Sequence, residues 1–172
     1  VELGTTYTDA GATATDLSGS VTVVTSGTVD TNIVGAYTLS YTSTDASGNA
    51  GTASRVVNVT DTTSPIFTSS STFIIDENQT AVGTVTATDL ATIVFTVSGS
   101  DLAITAAGVL TFISAPDFES QTSFEYDNST MDISATVTAT DASGNIATQD
   151  ITVKVRDVGG IDDNTNTGTG TG

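Results

Sequence analysis

Histidine, cysteine and tryptophan are absent from these 172 residues, and Lys plus Arg number only 3 against 20 Asp plus Glu, for a formal net charge of -17. Each shortage removes a class of function. Without imidazole or thiolate there is no thiol nucleophile, no His general base, and none of the common zinc, iron or copper ligand sets. Nucleic-acid binding by counterion release needs clustered cations, and here Arg55, Lys154 and Arg156 are the whole supply. No apolar run approaches the ~20 residues of a membrane span. The opening Val1-Glu2-Leu3-Gly4 has no basic region or apolar core, so a mature chain or an excised segment is expected. Carboxylates remain as the abundant reactive groups. Their use in glycoside hydrolysis, with Asp117 and Glu119 as the imaginable pair, is disfavoured because sugar subsites want aromatic platforms and the chain has 4 Tyr and no Trp. No enzyme is expected.

What is present is period-2 patterning. Val21 and Val23, then Tyr37, Leu39 and Tyr41, then Val57 and Val59 each place apolar groups on one strand face, with Thr, Ser or Asn between. The pattern returns at Val85 and Ala87, at Ile93, Phe95 and Val97, from Ile133 to Ala139, and from Ile151 to Val155. β-Branched residues suit a pleated, half-buried surface, and no window carries helical periodicity with caps. An all-β protein of short strands joined by Gly, Asp, Asn and Ser turns points to sandwiches.

The chain also repeats itself. Thr44-Asp45-Ala46-Ser47-Gly48-Asn49 recurs as Thr140-Asp141-Ala142-Ser143-Gly144-Asn145, and Asp61 recurs as Asp157, both at an offset of 96 residues. Ala14-Thr15-Asp16-Leu17 recurs as Ala87-Thr88-Asp89-Leu90, but 52 residues separate Asp89 from Asp141 against 29 between Asp16 and Asp45. The second copy therefore carries an insertion in a common plan. This predicts one module over 1–61, a stiff joint over 62–65 (Thr62-Thr63-Ser64-Pro65), a second module over 66–158, and a Thr/Gly-rich C-terminal tail over 159–172. The tail reads as a flexible linker, with a held strand as the alternative, because Thr-Gly alternation has strand period.

Recurring carboxylates at module ends suit calcium, a hard cation that takes six to eight oxygens and needs neither imidazole nor thiolate. Asp-Ala-Ser-Gly-Asn is equally a good turn, in which Asp accepts local backbone N–H bonds and Gly supplies positive φ. Three Asn-x-Thr sequons, at Asn58, Asn78 and Asn128, are glycan acceptors in a secreted archaeal or eukaryotic setting.

The second module resembles a cadherin-like repeat. Asp76-Glu77-Asn78-Gln79-Thr80-Ala81-Val82-Gly83 is similar to that family's opening strand, and Val85-Thr86-Ala87-Thr88-Asp89 to its first Asp loop. Pro116-Asp117-Phe118-Glu119 is similar to its acidic loop, Val137-Thr138-Ala139-Thr140-Asp141 with Gly144-Asn145 to its late turn, and Val153-Lys154-Val155-Arg156-Asp157 to its exit strand. The first module resembles the shorter immunoglobulin-like repeats of bacterial surface proteins through Tyr37-Thr38-Leu39-Ser40-Tyr41, Asp45 to Asn49, and Arg55 to Asp61. The resemblance implies two tandem immunoglobulin-like/cadherin-like β-sandwiches with calcium at their junctions. It assigns Asp89 and Asp141 to an upper junction shared with Asp61 and Glu2, and Glu77, Asp117 and Glu119 to a lower one shared with Asp157. The sequence departs from the family at Asp89-Leu90-Ala91, which lacks a second Asp, and at Asp157-Val158-Gly159-Gly160 in place of Asp-x-Asn-Asp-Asn. Both departures remove ligands, so fewer or weaker ions are expected.

The function expected is that of an extracellular, cell-surface structural or adhesive module, in an adhesin or surface filament, rigidified by calcium. Its expected partners are neighbouring copies or modules of the same protein. The alternatives are a self-assembling subunit, a homopolymer joined by strand addition of its tail or first strand, and a module that binds glycan or a cell-surface protein.

Overall fold

The computed structural model describes residues 1–17, 19–117 and 130–158. The expectations that fall on Glu119, on the sequon at Asn128 and on the tail over 159–172 lie outside the described residues. All fourteen regular elements among the described residues are strands. The chain divides into two compact units, Val1–Thr63 and Ser64–Gly172.

The first unit is built on an antiparallel sheet of β3 (Val23–Ser26), β4 (Gly35–Thr44) and β5 (Ala50–Val59), in that order, with a separate ribbon of β1 (Ala14–Asp16) and β2 (Gly19–Val21). Alternation sends Leu39 and Tyr41 of β4 and Val57 of β5 to one face, where Tyr7, Val23 and Val29 pack against them. With so small a cluster, polar contacts hold the opening segment down. Asp9 accepts hydrogen bonds from Tyr41 Oη at 2.8 Å and Tyr7 Oη at 3.2 Å. It also pairs with Arg55, whose second nitrogen donates to the Gly11 carbonyl at 3.0 Å and whose guanidinium lies 5.4 Å from the Tyr41 ring centre. Farther along, the Val1 ammonium donates to Asn58 O, Thr60 N donates to Val1 O, and Leu3 N donates to Thr60 O, a short parallel pairing on the outer edge of β5.

The second unit is a sandwich with a substantial core. One sheet has the order β10 (Ile93–Val97), β13 (Thr130–Asp141), β14 (Ile146–Arg156), β7 (Thr72–Asp76); the other has β11 (Leu102–Ile104), β12 (Val109–Phe112), β8 (Ala81–Thr84). A two-stranded piece, β6 (Ile66–Phe67) with β9 (Ala87–Thr88), stands beside them. β7 runs parallel to β14, and every other strand pair is antiparallel. Phe95, Val137, Ala139, Ile151, Val153, Val155 and Ile75 from the four-stranded sheet meet Leu102, Leu110 and Phe112 from the other, with Val85 between strands, all buried. At about 1.5–3 kcal/mol for each large side chain removed from water, this cluster carries the stability of the unit.

Three hairpin loops share one backbone form. In Asp45 to Asn49, Thr105 to Val109 and Asp141 to Asn145, the first residue's N–H donates to the fifth residue's carbonyl, and the N–H of the fourth, a glycine, donates back to the first carbonyl. Only two of the three are visible as a sequence repeat.

Candidate cation-binding ends of the second unit

Asp141 ends β13, and its partner across the ladder is Ile93, the first residue of β10. Asp89 stands just after β9, in the turn that leads into β10. The two strands thus deliver Asp89 and Asp141 to the same end of the second unit, with a carboxylate oxygen of each within 4.8 Å of the other. Asp89 Oδ1 accepts the Ala91 N–H at 2.8 Å, which fixes its orientation.

Asp141 is only 4% exposed. Its Oδ1 accepts the N–H groups of Ser143 and Asn145, each at 2.8 Å, and its Oδ2 accepts Asn145 Nδ2 at 2.7 Å. Burial pushes its pKa up and is the largest single influence, but the hydrogen bonds from the Asn145 side chain and backbone, Ser143 and Gly144 together outweigh it and hold the carboxyl below its ordinary value. Asp45 repeats this geometry, with Ser47 N and Asn49 N at 2.8 Å on Oδ1 and Asn49 Nδ2 at 2.8 Å on Oδ2. Its carboxyl is likewise held low, by the Asn49 side chain first. The turn explanation of these two residues is therefore correct as far as it goes. What distinguishes Asp141 is a second carboxylate beside it.

At the opposite end, the parallel register Arg156↔Asp76 sets Glu77 and Asp157 next to each other in sequence order beyond the last paired residues. Glu77 is 1% exposed, its N–H donates to Arg156 O at 3.1 Å, and its Oε1 accepts Val158 N–H at 3.1 Å. Asn78, at φ 60°, donates its N–H to Pro116 O at 2.8 Å, which brings the start of the acidic loop to this end. Asp117 and Asp157 are exposed. Among the described residues Glu77, Asp117 and Asp157 do not converge into a three-carboxylate group.

In the first unit, Glu2 has a role the sequence did not suggest. Its carboxylate accepts Thr62 N at 2.9 Å and the Thr62 and Thr63 hydroxyls at 2.8 Å each, so it fastens the residues that follow β5. The Thr62 backbone bond is the first of the contacts that lower its pKa. Asp61 Oδ1 accepts Thr63 N–H at 3.3 Å.

Residues 1–59 match the family model of the bacterial surface protein Ig-like domain. That match covers about a third of the chain and lies within the first unit, and the second unit is a β-sandwich. No curated protein matches the chain. Similar solved structures include EC1-3 of Drosophila N-cadherin, at 21% identity over 73% of this chain and 45% of that one, TM-score 0.47. EC1-4 of PcdhgB3 matches at 18% identity over 84% and 38%, TM-score 0.49, and EC1-3 of mouse clustered PcdhgC3 at 19% over 86% and 52%, TM-score 0.46. The chain spans between 38% and 52% of the lengths of these three.

Proposed function

We propose that the chain is a non-enzymatic, extracellular structural and adhesive module of a cell-surface protein, and that calcium binds at the end of its second unit marked by Asp89 and Asp141. One observation carries the cation. The chain has three cationic side chains, and each is engaged with another carboxylate: Arg55 with Asp9, Lys154 with Asp132, Arg156 with Asp76. None is left to neutralise two carboxylates within 4.8 Å of each other. A divalent ion with oxygen ligands supplies the missing charge without the nitrogen or sulfur donors this sequence lacks.

Asp61, the last acidic residue before Ser64, is proposed as the carboxylate contributed by the first unit, which would make the ion a brace for the joint. Glu77, Asp117, Glu119 and Asp157 are proposed as ligands for a weaker ion at the opposite end. The bacterial surface family matched by residues 1–59 supports the cell-surface setting.

Extracellular sites of this kind bind at about 10⁻⁴ to 10⁻³ M. At ten times Kd the linked stabilisation is about 1.4 kcal/mol per ion, worth roughly 6–11 °C of melting temperature in a unit of this size. The test is thermal melting in millimolar calcium against chelator, for the native chain and for Asp89→Asn. The native chain gains stability with calcium, and the variant keeps its chelator-state melting temperature but loses most of the gain. An equal gain in both, or none in the native chain, refutes the site.

A further inference from the structure

The outer edge of β5 is a bare strand edge. Among the described residues the backbone of β5 pairs with β4 on one side, and on the other it is hydrogen-bonded only by Val1–Leu3, at Asn58 to Thr60. Those contacts fix the phase of the strand. Asn58 and Thr60 turn their backbone groups outward, so by the period of two Val56, Ser54, Thr52 and Ala50 do as well.

This free edge has none of the usual protection. From Ala50 to Val56 it contains no proline, no acidic residue and one charge, Arg55, which is turned inward onto Asp9 and Gly11. Natural edges are normally blunted by charge, proline or bulges because a bare row of N–H and C=O groups templates another strand. The face of β5 that carries Gly51 and Ala53 also borders a hollow of about 210 Å³, which Ala12, Ala14, Val23 and Tyr41 line as well and which reaches across the sheet to β3.

We propose that the occupant is the segment Asn164–Gly172 of a second copy of this chain. In a chain of net charge -17, these nine residues carry no charged side chain and no proline, and Thr165, Thr167, Thr169 and Thr171 alternate with Asn or Gly at the period of a strand. An acidic strand would bring repulsion to the edge; this one brings none, and its main chain supplies the hydrogen bonds. The tail follows the second unit while β5 belongs to the first, so a second copy is taken as the source of the strand, and a tail folded back within one chain is an outcome of the test. Head-to-tail contacts of this kind are heterologous and propagate.

The experiment compares the 172-residue chain, a chain ended at Val158, and Ser54→Pro, all in chelator so that calcium plays no part. Ser54 turns its N–H away from β4, so proline there removes an edge donor and leaves the β4–β5 ladder intact. Sedimentation and amide exchange are read together. The full chain associates with rising concentration, and the Ala50, Thr52, Ser54 and Val56 amides slow by about tenfold or more as it does. The shortened chain stays monomeric with fast exchange at those amides. So does Ser54→Pro at the edge amides that remain, with the inward amides of β5 as slow as in the native chain. Association undiminished by the truncation or by Ser54→Pro overturns the proposal, as does protection of the edge amides in dilute monomer, which would assign the edge to the chain's own segment.

Discussion

Gly108 and Gly144 occupy the same position in two loops of one backbone form, with φ of 89° and 92°, yet alanine should cost very different amounts at the two sites. At Gly144 an added Cβ meets nothing within 4 Å. The penalty is the left-handed conformation alone, about 1–2 kcal/mol, or roughly 4–16 °C of melting temperature in the second unit. At Gly108 the same Cβ falls 2.2 Å from the Val85 carbonyl oxygen and 3.3 Å from Phe95 Cδ2. The obstacle is backbone, so the strands must separate, and the 2.8 Å bond from Val85 N–H to Gly108 O is strained or lost with them. That adds about 0.5–1.5 kcal/mol for the bond and loosens Val85 and Phe95, both in the core. These two terms come to about 1.5–3.5 kcal/mol before the loosened core is counted, large against a whole-domain stability of about 5–15 kcal/mol. Urea unfolding followed by amide exchange in β13 and β14 measures the second unit. Amide exchange in β4 and β5 serves as the internal control, since both strands lie in the first unit and should report an unchanged transition. Equal losses in Gly108→Ala and Gly144→Ala, or a greater loss at Gly144, would refute the argument that close strand approach selects the glycine.

Two further outcomes follow from the polar contacts. Asp45 and Asp141 are held below the ordinary carboxyl value in the folded chain, so what their turns contribute is fully present above about pH 4 and is lost as pH falls through the depressed values; Asn49→Ala and Asn145→Ala should raise the corresponding midpoint in a carboxyl NMR titration, and an unmoved midpoint contradicts the assignment. Asp9→Ala removes the acceptor shared by Tyr7, Tyr41 and Arg55, so limited proteolysis should cut within residues 5–13 several-fold faster while β4 and β5 stay protected; an unchanged cleavage rate there would mean that packing, not this cluster, holds the segment.

Much of this molecule is legible without coordinates because alternation is a local signal. Leu39, Tyr41, Val57, Phe95, Val137, Ile151 and Val153 announce their inward faces through spacing alone, and all are buried. The parallel pairing of β7 with β14 is not legible, since it joins Thr72 to Thr152 across 80 residues and leaves no pattern in either strand. Nor is the third copy of the hairpin loop. Thr105-Ala106-Ala107-Gly108-Val109 keeps the glycine, and the Thr105 hydroxyl accepts Val109 N–H at 3.1 Å as Asp141 accepts Asn145 N–H, but without Asp and Asn at its ends it does not register as a repeat. Glu2 was similarly hidden, because a carboxylate that caps Thr62 and Thr63 from sixty residues away looks like any exposed acid in the chain.

The repeat also misleads in an instructive way. Read as sequence, Asp45 and Asp141 are equals, and the local hydrogen bonds of the two turns are nearly superimposable in length. Each carboxylate is satisfied by its own turn, which is reason enough for the motif to exist without a metal. The difference arises one strand over. In the second unit Asp89 follows β9 and stands within 4.8 Å of Asp141. Its counterpart Asp16 instead lies inside β1, paired with Gly19 in a separate two-stranded ribbon. Asp16 and Asp45 border a common hollow, but among the described residues they join no three-carboxylate group. A turn that pre-orients one carboxylate and lowers its pKa is thus a precondition for a cation site, and a second carboxylate delivered by a neighbouring strand completes the demand for positive charge. Asp45→Asn and Asp141→Asn separate the two cases, since both weaken a turn but only the second should abolish the stabilisation by calcium.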